Sequence, residues 1–92
     1  MALRLQITGM VQGVGYRAAF QRRANELQLS GWVRNRRDGS VEALVEGDAA
    51  ALAAIENWAR QGPPGARVAA VQREDARAEP IHAGRFDIIA TA

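Results

Sequence analysis

Asp38-Gly39 lies between "SGWVRNR" (30–36) and "SVEALVEG" (40–47), and no other feature limits the fold of this chain as much. An Asp-Gly pair between two runs of strand-forming residues is a strong hairpin signal, because both residues tolerate the positive φ that a tight turn demands. Two strands are therefore antiparallel neighbours in the middle of the chain. Upstream, "LRLQITG" (3–9) alternates Leu3, Leu5 and Ile7 with Arg4, Gln6 and Thr8, the period of a strand covered on one face. From Arg17 to Gln28, Phe20, Ala24 and Leu27 fall at i, i+4 and i+7, which predicts an amphipathic helix. Downstream, Asp48 is placed to N-cap a second helix with Leu52, Ile55, Trp58 and Ala59 as its buried stripe. "GPPG" (62–65) ends that helix, since glycine favours its C-terminus and proline cannot extend it. "ARVAAVQRE" (66–74) and "RFDIIAT" (85–91) predict two further strands, and 75–84, with Pro80, is expected to be loop.

The order is βαββαβ with a short extra strand at the C-terminal end. Right-handed crossovers and short connections then favour an α+β, ferredoxin-like split βαβ sandwich, an antiparallel sheet with two helices on one face. In that topology the first two strands run the same way with the third between them. The turn after strand 1 and Asn35 at the end of strand 2 therefore share one edge of the sheet. At ~4.8 Å per strand spacing they lie roughly 10 Å apart, a gap suited to one small ligand.

Ninety-two residues make a single domain, 1–92, with room for one modest core. The chain has no cysteine, which excludes disulfides, thiolate metal sites and a cysteine nucleophile. All 12 of its basic residues are arginine, so Schiff-base chemistry and a phosphate-loop lysine are excluded too. The net charge of +2 tolerates anions without being built for a polyanion. No apolar run suits a membrane span, and "MALRLQITG" lacks the apolar block of a signal peptide, so a cytoplasmic, membrane-free protein is expected.

"VQGVGYR" (11–17) stands where the first strand gives way to the first helix. The first N–H groups of a helix need acceptors, commonly from a Ser, Thr, Asp or Asn cap, yet none occurs between Gly9 and Arg17. Arg17 also puts a positive charge in the first turn, where the helix dipole disfavours it. An anion in place of the cap removes both faults. Gly13 and Gly15 let the backbone take positive φ and turn successive N–H groups inward, and Arg17 adds a planar fork of donors. The competing reading is a plain tight turn with a solvated arginine. For Asn35, taken alone, ordinary turn propensity beside a hairpin is the better explanation.

"GMVQGVGYR" (9–17) together with "SGWVRNRRDGSVEALVEG" (30–47) resembles acylphosphatase, a family of small hydrolases of carboxyl-phosphate mixed anhydrides. The likeness runs on through the "GPP" break at 62–64 to "FDI" (86–88). It implies that the backbone amides of Gln12, Gly13, Val14, Gly15, Tyr16 and Arg17 bind phosphate, that Arg17 anchors it, and that Asn35 positions the attacking water. It further implies a monomer that needs no cofactor or metal, takes a small acyl phosphate as substrate, and binds inorganic phosphate or sulfate as product or inhibitor. The alternative from another class is a non-catalytic phosphate-binding or regulatory module of the same fold.

Other residues invite function and fit structure better. His82 is the only histidine and has no carboxylate cluster around it, so solvation suits it better than a metal. Arg22, Arg23, Arg34, Arg36 and Arg37 form a basic set, but the third strand holds two glutamates and no stacking aromatic, so nucleic acid is not an expected partner. Trp32 and Trp58 are expected to pack rather than to bind a ligand.

Overall fold

A computed structural model describes residues 1–77 and 84–92; Pro80 and His82, on which two of the expectations above fall, lie outside them. Its elements are β1 (Ala2–Met10), α1 (Tyr16–Glu26), β2 (Ser30–Asn35), β3 (Val41–Glu46), α2 (Ala49–Gln61), β4 (Arg67–Ala76) and β5 (Phe86–Ile88). The strands form one sheet in the order β4-β1-β3-β2-β5, the ferredoxin-like arrangement expected from the hairpin and its flanking helices.

Pairing is antiparallel between β1 and β3, β1 and β4, and β2 and β3, but β5 runs parallel to β2. The sheet is therefore mixed, not antiparallel throughout. The reason is topological: β4 runs against β2 and so ends where β2 begins. A chain that crosses there to the far edge enters beside Gly31 and runs along with β2. β5 is also shorter than 85–91. Beyond it the backbone stays hydrogen-bonded to the neighbouring strand, Ile89 N–H to the Val33 carbonyl at 3.0 Å and Ala92 N–H to the Asn35 carbonyl at 3.0 Å. At the other end of the expected loop, Asp75 and Ala76 belong to β4, opposite Leu3 and Ala2.

The register decides which residues are buried. Leu3, Leu5 and Ile7 of β1 stand opposite Val45, Ala43 and Val41 of β3, and all six join the core under the helices. Phe20 and Ala24 of α1, Leu52, Ile55 and Ala59 of α2, and Phe86 of β5 close it from above. Asp48 caps α2 as its position implied, its carboxylate accepting from the Ala51 N–H at 2.8 Å. The Tyr16 hydroxyl, at the first residue of α1, donates to the Ala59 carbonyl at 2.8 Å and ties the start of one helix to the end of the other. Burial pushes that phenol far up from its ordinary value, so it stays a neutral donor. Trp58 packs against the rings of Tyr16 and Phe20, as expected of a packing residue. Among the described residues no helix is long and apolar enough to cross a membrane.

The open face of the sheet carries a cluster that the sequence did not announce. Glu42, with a side chain only 6% exposed, accepts from Arg34 Nε at 2.8 Å, from Arg36 Nη1 at 3.2 Å and from Arg4 Nη1 at 3.2 Å. Burial raises its carboxyl, but the Arg34 hydrogen bond and the charges of Arg34, Arg36 and Arg4 outweigh it and hold the group below its ordinary value. Arg34 and Arg36 are thus ion-paired rather than a solvated patch. Arg34 also stacks on half-buried Trp32, 4.8 Å from the ring centroid.

Candidate active site

β1 and β2 run parallel on either side of β3, so their C-terminal ends meet at one end of the sheet. Asn35 and Ile7 both stand opposite Val41, which puts the Asn35 side chain on the helix-covered face, with Arg34 and Arg36 on the other. The turn leaving β1 curls over the same end. A cavity of about 210 Å³ forms between them, lined by Gln12, Gly13, Gly15, Arg17, Asn35 and Ile88 among others. Two motifs 18 residues apart in sequence thus share one concave surface.

The turn has the backbone its glycines implied. Gly13 and Gly15 each sit at φ 77°, and a Cβ at either would meet nothing within 4 Å. Conformation, not crowding, is the reason for glycine there. Gly15 is the N-cap of α1 in the left-handed region, with no side-chain cap and no acidic residue in the first turn. Among the described residues no group accepts from the N–H of Gly13, Val14, Gly15, Tyr16 or Arg17. Gly13 and Gly15 are exposed, while Tyr16 is buried and Val14 and Arg17 are half-buried, positions where a donor seldom lacks an acceptor. Val14 alone of the six expected amide donors does not line the cavity; its side chain packs against the core.

Arg17 is half-exposed on the cavity wall, and among the described residues no carboxylate pairs with it. Arg34, Arg36, Arg60, Arg73 and Arg85 all have such partners. Asn35 completes the asymmetry: its Oδ1 is buried and without a hydrogen-bond partner among the described residues. An unpaired buried acceptor costs about 1–3 kcal/mol, which sets this amide apart from most buried polar groups. The cavity therefore combines backbone N–H groups and a guanidinium on one wall with a neutral amide on the other.

Sequence reasoning missed two parts of this surface. Ile88, 40% exposed, lines the cavity from β5, the strand whose position depended on an unreadable crossover. The Gln12 side chain also reaches across to the hairpin, with Nε2 at 2.8 Å from the Arg36 carbonyl and 2.9 Å from the Ser40 carbonyl. Among the described residues no group of three or more His, Cys, Asp or Glu could hold a metal ion.

The family model described as Acylphosphatase matches residues 3–88. A protein named acylphosphatase from Azoarcus sp. (strain BH72) is 53% identical over 87 residues, 95% of this chain and 87% of that protein. The crystal structure of acylphosphatase from Bacillus subtilis superposes with a TM-score of 0.89 at 38% identity, covering 96% of this chain and 97% of that one. The crystal structure of T. kodakarensis HypF matches all of this chain with a TM-score of 0.84 at 27% identity, but only 12% of its own length is covered. A family match across nearly the whole sequence, and a relative sharing more than half its residues over a similar span, place the chain in the acylphosphatase family.

Proposed function

We propose that this chain, a hydrolase of the acylphosphatase family, splits the carboxyl-phosphate bond of small acyl phosphates by in-line attack of water on phosphorus. One observation carries the mechanism: an uncapped helix start, an arginine with no carboxylate partner and an asparagine oxygen with no hydrogen-bond partner, both among the described residues, line the same cavity. The amides from Gln12 to Arg17 receive the phosphoryl oxygens, and the Arg17 fork takes the charge that builds on them in a loose transition state. Asn35 accepts a hydrogen bond from water and aims it; an amide is too weak a base to take the proton. The leaving group is a carboxylate whose conjugate acid has a pKa of about 4 by analogy with Glu, so it departs without a general acid. Every one of these groups belongs to one chain, so a monomer suffices. The absence of cysteine favours the cytoplasm as the place of action.

The test is phosphate release from benzoyl phosphate in excess chelator, with inorganic phosphate or sulfate as competitive inhibitor. Wild type is expected to turn over unaided by metal. Arg17→Lys and Arg17→Ala are both expected to lose turnover and phosphate affinity, with lysine rescuing little because a point charge does not copy the planar fork. An active Arg17→Ala removes the site; phosphate binding without turnover in wild type favours a non-catalytic module.

A further inference from the structure

Gln12 does more than lend a backbone amide. Both hydrogens of its side-chain amide are used, one on the Arg36 carbonyl and one on the Ser40 carbonyl. Arg36 directly follows Asn35, and Ser40 directly precedes β3, so the two acceptors stand on opposite arms at the base of the hairpin. Each already has a partner within the hairpin: Ser40 O accepts from Arg36 N–H at 2.8 Å, and Arg36 O from Gly39 N–H at 3.1 Å. The turn is closed without Gln12. What the extra pair of bonds joins is the start of the phosphate-binding turn, leaving β1, and the end of β2, two backbone segments kept apart by the width of β3.

We propose that Gln12 is a positioning residue, which sets the separation between the Arg17 anchor and the water-aligning Asn35 by pinning the residue next to Asn35 to the start of the turn. This rests on the acyl phosphate hydrolysis described above. In-line attack requires water, phosphorus and leaving oxygen in one line, and a misplacement of 1 Å costs up to about 100-fold in rate. The side chain must be a neutral amide of this length. Asparagine is one methylene short, and a glutamate carboxylate would set acceptors against two carbonyl oxygens; protonated, it has one O–H to donate.

The experiment compares wild type, Gln12→Ala, Gln12→Glu, Asn35→Ala and the Gln12→Ala/Asn35→Ala double variant. It reads kcat on benzoyl phosphate, inhibition by inorganic phosphate, and the side-chain amide resonances of Asn35 by ¹⁵N NMR. Gln12→Ala is expected to lower kcat by up to about 100-fold with phosphate inhibition near wild type. In the Asn35→Ala background the same change should cost little more, because the two residues act through one geometry. Gln12→Glu should be impaired at neutral pH and regain part of its kcat as acid protonates it and restores one of the two bonds, an outcome that carries the test if Gln12→Ala does not fold. The Asn35 amide resonances should shift in Gln12→Ala. Equal kcat losses in both backgrounds, or unmoved Asn35 resonances, overturn the proposal. A wild type inert toward benzoyl phosphate with those resonances still coupled to Gln12 would remove the hydrolase mechanism and leave the link standing.

Discussion

At the scale of single residues, what marks the site is mismatch. Arg17 was legible in the sequence because a cation in the first turn of an uncapped helix is locally wrong, and the structure leaves it without a carboxylate among the described residues. Asn35 was not legible by itself, since asparagine beside a hairpin is ordinary; only the family resemblance singled it out, and its Oδ1 is buried without a partner among the described residues. The side-chain contacts of Gln12 could not be foreseen, because its acceptors lie 24 and 28 residues further on. If Asn35 touches the water and not the phosphate, Asn35→Ala should lower kcat and kcat/KM together while phosphate inhibition stays near wild type. A single neutral hydrogen bond is worth only ~1 kcal/mol, so a larger drop in steady-state kinetics means that alignment of the nucleophile is what the residue supplies.

At the scale of elements, the alternation of Leu3, Leu5 and Ile7 and the Asp38-Gly39 turn placed three strands, and the spacing of Phe20, Ala24 and Leu27 and the Asp48 cap placed two helices, because each signal is local. The direction and length of β5 were not readable: they follow from where β4 ends, a consequence of the assembled sheet. The turn before α1 was readable because its glycines and its missing cap are local too. Its amides make a prediction of their own. Titration with inorganic phosphate should shift the backbone amide resonances of residues 12–17 and raise the melting temperature by mass action. Gly15 sits at φ 77° in open space, so Gly15→Ala should cost about 1–2 kcal/mol of backbone strain, read as a lower melting temperature, and should weaken phosphate binding by turning the donors away.

At the scale of the whole molecule, the sheet keeps chemistry on one side and a charge cluster on the other. Glu42 pairs with Arg34 and Arg36, the residues on either side of Asn35, on the open face, while the register turns Asn35 toward the helices. Its folded carboxyl lies below the ordinary value of 4.5. The stability it contributes is therefore complete above that value and lost as pH falls through the lower, folded one. Glu42→Gln should melt earlier than wild type near neutrality, and the two melting temperatures should converge as the pH falls through the lowered folded value of the Glu42 carboxyl. The central claim is that this molecule directs water at phosphorus, and hydrolysis of benzoyl phosphate in water enriched in heavy oxygen tests it most directly. Attack at phosphorus breaks the bond between phosphorus and the acyl oxygen, so mass spectrometry should find the label in inorganic phosphate, with benzoate unlabelled. Label in benzoate would mean attack at the carbonyl carbon and would contradict the roles given to Arg17 and Asn35.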